Sequence, residues 1–422
     1  MKKMFAMMLC VFLAACGGGG GTSTTSTSTN TTTPSPTATN LTLSGTVSGT
    51  TFVAVDASSN TEVGRNVATL QADGTKRFNL TIPSEKTYKF FLITNENTPL
   101  QEIHTIYQST SNTFSVTGNV SFDFGTITYS STAAVPTNNL LTMAGVSGSA
   151  TTDVIPASVQ GTYNSKIFYS NVGGSGFSAY SILQKTATAY LASSQIYDLT
   201  VNGSKVAYID VNGDINQFDV SSQANAKLSS GASYVDPSYL KSTSALVSDS
   251  LGKIYTSNLS TWSPSQITAI ASGFKPVAVG GSNGAEMLYS TAVNYQYTTL
   301  YKFTFQSSAS TQLLAATALG ASSFTDYASS PDGAYIAISA YVNYVPTIFV
   351  SDKNGQNVSQ ITTGKRVCWS PDGKYLAYID NIDMMAGTGK LYIVEIATKT
   401  KKQLLDASGA AITATDSAIS WQ

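Results

Sequence analysis

The stretch "RVCWSPDGKYLAYID", residues 366–380, decides the fold. It reads as a strand from Arg366 to Ser370, a tight Pro-Asp-Gly turn and a second strand from Lys374 to Ile379, a hairpin without evident chemistry. The sequence repeats it. In "IYDLTVNGSKVAYID", residues 196–210, Gly203 falls on Gly373, and Ala207-Tyr208-Ile209-Asp210 falls on Ala377-Tyr378-Ile379-Asp380. Further copies are "YASSPDGAYIAIS" (327–339), "VGGSNGAEMLYS" (279–290) and a degenerate "YLKSTSALVSD" (239–249) with Ser242 at its turn. Turn positions 203, 242, 284, 333 and 373 are separated by 39, 42, 49 and 40 residues. A period near forty built from strands is the mark of a β-propeller, one four-stranded blade per repeat.

Five copies start at Gln195, Ser233, Gly273, Ser322 and Gly364, and the chain then ends on what reads as a lone first strand. In it, Ile419-Ser420-Trp421 echoes Val367-Cys368-Trp369. Between Asn164 and Ala192 lie three strands lacking a first. Joining the two closes a ring of six blades and protects the terminal edge. The propeller is therefore expected over 161–422.

Strands three and four of a copy are clearest in "PTIFVSDKNGQNVSQIT" (346–362) and "GKLYIVEIATKTKKQLL" (389–405). Together with Ser-Pro-Asp-Gly at 330–333 and 370–373, they resemble the TolB-like, WD40-like propeller repeats. The resemblance is strong over 322–405 and extends back to Gln195. It departs from TolB in a front domain that reads as all-β and in a lipidated N-terminus.

Residues 41–130 alternate with period two in "LTLSGTV", "RFNLTIP", "TYKFFLIT" and "VSFDFGTITY". They predict an antiparallel β-sandwich of about seven strands. "SGTVSG" and "DGTKRFNLTIPSEKTYKFFLI" resemble transthyretin-like and carboxypeptidase-regulatory-like envelope modules. Residues 131–160, with Pro136, read as a linker. The overall expectation is an all-β chain, a sandwich followed by a six-bladed propeller.

The N-terminus supplies an address. "MKKMFAMMLCVFLAAC" has two lysines and then an apolar run too short to span a bilayer, as in a signal peptide over 1–16. Leu13-Ala14-Ala15-Cys16 resembles the bacterial lipobox, which implies acylation of Cys16 and attachment to the membrane; Gly17 in place of an acidic residue implies the outer membrane. Residues 17–40 have almost nothing to bury and read as a disordered tether, with a span of about 25 to 30 Å.

With Lys+Arg 23 against Asp+Glu 24 and a net charge of -1, the chain has no field for nucleic acid. Cys368 is the one thiol left after removal of the signal and lipidation, so no intramolecular disulfide and no cysteine zinc cluster are expected. It reads as a buried filler.

Motifs that might carry chemistry are few. Gly280-Gly281-Ser282-Asn283-Gly284 matches G-x-S-x-G but joins two strands, whereas a nucleophile elbow joins strand to helix. His104, the one histidine, reads as a solvated or hydrogen-bonded strand residue. Asp210-Val211-Asn212-Gly213-Asp214 reads as a hairpin turn, with a calcium loop as the alternative.

Loops between strands two and three share a propeller face with the inter-blade loops. There "AVNYQYTT" (292–299), "YVNYVPT" (341–347) and "IDNIDMMAGTG" (379–389) place Tyr295, Tyr297, Asn343, Tyr344, Asp383, Met384 and Met385 on one candidate binding rim. The reading is a non-enzymatic envelope lipoprotein, with no catalytic residue, metal or cofactor, that presents this rim to a protein or glycan partner. The alternatives are a propeller hydrolase or lyase acting on envelope or extracellular glycans, and a surface structural or adhesive protein. Enzymes of that kind usually need a histidine or several carboxylates at the channel mouth, and the sequence reads as poor in both.

Overall fold

The computed structural model describes residues 39–49, 51–130, 133–191, 195–229, 233–240, 245–383 and 385–422. The expected signal peptide, Cys16, most of the tether, Ser242 and Met384 lie outside the described residues.

The front domain is one continuous sheet of eleven strands folded over on itself. Lys76–Pro83 shows why: Phe78, Leu80 and Ile82 point inward while the residues between them face solvent. Asn40–Val47 packs Leu41, Leu43 and Val47 against them. Phe52 stacks on Phe78 with ring centroids 4.0 Å apart, and Phe90 and Phe124 complete the cluster.

Two features differ from the sequence reading. Asn40–Val47 runs parallel to Val120–Tyr129, and Ala133–Pro136 runs parallel to Glu102–Ile106, so the sandwich is not wholly antiparallel. The stretch expected as a linker also belongs to the domain. Ala133–Pro136 and Val146–Ser149 are sheet strands, and Val159 packs on Phe91 and Ile93, the outward side of Lys86–Thr94. Pro136 suggested a linker because proline cannot donate to a ladder, but here it is the last residue of its strand.

The second domain is a six-bladed propeller closed as expected. Five blades begin with the innermost strands Ile196–Asn202, Val235–Leu240, Phe274–Ala278, Phe324–Ser329 and Lys365–Trp369. The first blade consists of Lys166–Ser170, Phe177–Ser181 and Thr186–Tyr190, and its innermost strand is the C-terminal Ile419–Trp421. Ile167 pairs with Trp421 and Tyr169 with Ile419. Trp421 Nε1 donates to Ser165 Oγ at 2.9 Å, fastening the seam.

Apolar wedges fill the spaces between blades. Trp369 joins a cluster with Ala337, Ile348 and Val350 of the preceding blade, and its Nε1 donates to Ala328 O at 3.0 Å. The sandwich docks at the seam, on the side of the Asp-Gly turns. Leu100 enters the core formed by Ile167, Tyr180, Tyr375 and Leu404, and Lys402 Nζ donates to Gln101 O at 3.0 Å. Tyr375 stands just after the Asp372-Gly373 turn, so the sandwich docks at the end of the propeller opposite the loops between strands two and three.

Candidate functional site

The blades are not uniform ladders. In each of the five whole blades, the innermost strand inserts one extra residue as it starts, opposite the end of strand two. Such a bulge bends the strand and re-aims its side chains. At these bulges stand Asp198, Asp236, Lys275, Asp326 and Arg366, all lining a cavity of about 300 Å³ along the propeller axis. Asp236, Lys275 and Arg366 hold φ of 47°, 52° and 53°, left-handed values that non-glycine residues adopt at a cost.

The charged groups interlock. Lys275 Nζ lies 3.2 Å from Asp236 Oδ1 and 3.1 Å from Asp326 Oδ1, with 6% of the residue exposed. Asp326 Oδ2 accepts the Val367 N–H at 2.9 Å, tying one blade to the next. Behind them Asp249, at the end of a second strand, accepts the Lys275 N–H at 3.1 Å. Arg366 donates to Asp416 O from Nε at 3.3 Å and from Nη2 at 3.1 Å, and Asp416 Oδ2 accepts from Lys365 Nζ at 2.6 Å.

Burial pushes the Asp198 carboxyl well above its ordinary range, reinforced by the neighbouring Asp236 and opposed by Lys275. Burial likewise raises Asp249 to about 8, with the Asp236 charge adding to the effect. Burial opposes ionisation of Asp236 too, but Lys275 and a hydrogen bond with Asp198 outweigh it, and its pKa is lowered. Lys275 is raised because Asp236 and Asp326 overcome its desolvation. Burial thus biases two carboxyls, Asp198 and Asp249, toward the protonated form beside a buried ion-pair network.

This corrects the expectation of a channel mouth poor in acids: Asp198, Asp236 and Asp326 line the cavity, and Asp249 and Asp416 stand behind them against Lys275 and Arg366. A signal for them was present. Only 11% of the chain is charged, yet every copy carries a charged residue shortly before its first strand's apolar run. The identities vary between Asp, Lys and Arg, so matching letters across copies passes over them.

The rim residues surround the same end. Asn294-Tyr295 and Asn343-Tyr344 are the central pairs of two-residue hairpins in which both residues have positive φ, 52° and 64°, then 49° and 67°. Glycine ordinarily takes the second of these positions. Tyr295 and Tyr344 are 100% and 97% exposed, so nothing within the fold repays the strain. Met385 is also exposed, at the tip of a loop ordered by Asp383 Oδ1, which accepts the Met385 N–H at 2.9 Å. Tyr297 departs from the expected rim. It is part-buried against Phe274, and its hydroxyl is pushed up to about 12, chiefly by burial and then by Asp236. It joins the rim to the charged mouth.

The other motifs resolve structurally. Ser282 Oγ donates to Val279 O at 2.7 Å, and a Cβ at Gly280 or Gly281 would strike the backbone of residues 330–332, so the glycines permit close packing of neighbouring turns. Asp210 Oδ1 accepts the N–H groups of Asn212 and Asp214 at 2.9 and 3.0 Å, and Asp352 and Asp406 cap turns in the same way. The calcium-loop alternative loses its first ligand to this turn. His104 is not solvated: it is fully buried, its ring 4.5 Å from that of Tyr129, and neither ring nitrogen has a hydrogen-bond partner among the described residues. Cys368 is buried as expected, and it also lines the cavity. Among the described residues no group of three or more His, Cys, Asp or Glu side chains forms a metal site.

Comparison with solved structures supports the architecture. TolB from Acinetobacter baumannii is 16% identical over 61% of this chain and 66% of its own length, with a TM-score of 0.51. The propeller is TolB-like in fold. The chain spans just under two thirds of that protein, and at this identity the likeness extends to the fold alone. A nidogen/laminin complex (8% identity, 61% of this chain, 98% of that one, TM-score 0.48) and a putative TolB from Agrobacterium tumefaciens (14%, 60%, 98%, 0.44) are also similar. No family model matches the chain, and no curated protein does.

Proposed function

We propose that this chain is a non-enzymatic binding module of the bacterial envelope, anchored to the outer membrane through lipid on Cys16 and engaging a protein partner with the propeller face opposite the sandwich. One observation carries the reading: two fully exposed tyrosines held in strained turns beside a charged channel mouth, on the face away from the docked sandwich. Exposed aromatic and methionine side chains around a polar centre suit a protein interface. The acids of the mouth are largely committed to Lys275, Arg366 and backbone N–H groups, which favours recognition over turnover.

Crosslinking followed by capture from envelopes tests the reading. The intact protein should retain a partner that Tyr295→Ala with Tyr344→Ala loses; equal capture by both would refute the role of the rim. Replacing Cys16 by Ser should abolish palmitate labelling and release the protein from the membrane fraction, and retention would refute the anchor. A second reading, a hydrolase or lyase acting on glycans, draws on the acids that line the cavity, Asp198, Asp236 and Asp326. Product formation from envelope glycans that is lost in Asp326→Asn would replace the binding reading. A surface adhesin differs in which way the molecule faces, and degradation on protease shaving of intact cells would favour it.

A further inference from the structure

The one histidine stands where the two domains meet. His104, on the sandwich strand Glu102–Ile106, is fully buried, and neither ring nitrogen has a hydrogen-bond partner among the described residues. Glu102 Oε2 lies 3.9 Å from its Nε2. That carboxylate is already engaged, because its Oε1 lies 3.5 Å from Nζ of Lys402 on the propeller. Lys402 Nζ also donates to Gln101 O at 3.0 Å, and the adjoining Leu100 is seated in the propeller core. An unpartnered histidine, a carboxylate and the docking lysine therefore form one chain of contacts across the junction.

Protonation upsets this chain. A buried imidazolium needs an acceptor, and Glu102 is the carboxylate beside it. The groups facing His104 are Glu102 from its own strand, the Tyr129 ring and the Ser130 backbone from the sandwich, and Lys402 and Lys185 from the propeller. Both propeller groups are cations. In the docked molecule a charged His104 would place three cations around one carboxylate, whereas undocking takes both lysines away and leaves Glu102 to the imidazolium alone. The undocked form accepts the proton more readily.

We propose that this cluster is an acid-sensitive latch: neutral His104 lets Glu102 hold Lys402, and a proton on His104 releases the sandwich from the propeller and uncovers the seat of Leu100 among Ile167, Tyr180, Tyr375 and Leu404. The latch lies on the side of the Asp-Gly turns, so it works independently of the partner proposed for the opposite face. Its sign follows from linkage. Burial, with the two lysines adding to it and Glu102 opposing, lowers the docked histidine below the ordinary value of about 6.5, so docking is intact above that pH and weakens below it. Between pH 7.5 and 5.5 the docking equilibrium should fall by up to about tenfold.

The test places a thiol in the seat of the mature chain, as Leu100→Cys, and follows its reaction with dithiodipyridine on its own peptide by mass spectrometry. Dividing by the rate of a free cysteine peptide at each pH gives the protection that docking provides. Protection should fall by up to about tenfold from pH 7.5 to 5.5, while backbone amides of Asn40–Val47 stay protected from hydrogen exchange at both values. Adding His104→Phe, or His104→Gln if that protein fails to fold, should make protection independent of pH. Lys402→Met should lower it already at pH 7.5. Protection that ignores pH with His104 in place, an equal fall in a folded His104 variant, or opening of Asn40–Val47 in step with the thiol would each overturn the latch, the last in favour of general unfolding of the sandwich.

Discussion

Replacing Asp249 by Asn should flatten the dependence of propeller stability on pH. Asp249 is 2% exposed and its carboxyl is raised to about 8 by burial and the nearby Asp236 charge, against about 3.9 in an unfolded chain. Between those values the folded state keeps a proton that the unfolded state has lost, so stability is highest in acid and declines as pH rises. One such group costs about 1.4 kcal/mol per pH unit in that window. From pH 5 to pH 7 the intact protein should therefore lose about 2.5 kcal/mol that Asp249→Asn does not lose. The slope depends on the folded pKa only through its lying at or above 7. Asp198, raised for the same reason, adds a decline of the same sign that both proteins share. All three tryptophans, Trp262, Trp369 and Trp421, belong to the propeller, so fluorescence-detected urea unfolding at pH 5, 6 and 7 reads this domain directly. Parallel pH profiles for the two proteins would refute the assignment of a buried, protonated Asp249.

Trp421→Ala should destabilise the propeller by about 4 kcal/mol, because the indole is 92% buried across the closing seam and the change leaves a cavity; a urea-unfolding loss below about 1 kcal/mol would argue that the terminal strand does not close the ring. His104 titrates with the opposite sign to Asp249. Burial lowers its pKa, so the stability it leaves intact at neutral pH is lost as pH falls through the unfolded value of about 6.5, and His104→Phe should remove that acid-side loss in melts of the sandwich. Tyr295→Gly and Tyr344→Gly should each stabilise the protein by about 1 kcal/mol by relieving left-handed strain, measured by urea unfolding, while capture of the partner is lost.

The repeat was legible in the sequence because turn chemistry constrains it. Gly203, Gly333 and Gly373 all take positive φ, 62°, 73° and 69°, which keeps glycine at corresponding positions and makes the copies visible. The ring closure was legible for a related reason: Trp421 and Trp369 occupy equivalent wedge positions. Two things escaped. The strands Ala133–Pro136 and Val146–Ser149 are short and polar, and they gain their place from ladders formed with distant residues. The charged mouth escaped because a bulge conserves backbone geometry while the side chain it aims is free to vary.

That freedom connects the two halves of the candidate site. Blade geometry is set by turns and wedges, so the bulge residues and the loops between strands two and three can change without unmaking the propeller. At these positions the chain carries costly choices: tyrosines where glycine is favoured, and charged residues, Asp236, Lys275 and Arg366, on left-handed backbone. The tyrosine side chains gain no burial within the fold, while the acids give hydrogen bonds to Lys275 and Val367 against the cost of their burial. Tyrosine-to-glycine changes that relax the strained turns should raise stability while abolishing partner capture, the pair of outcomes that the proposed binding role of this face requires.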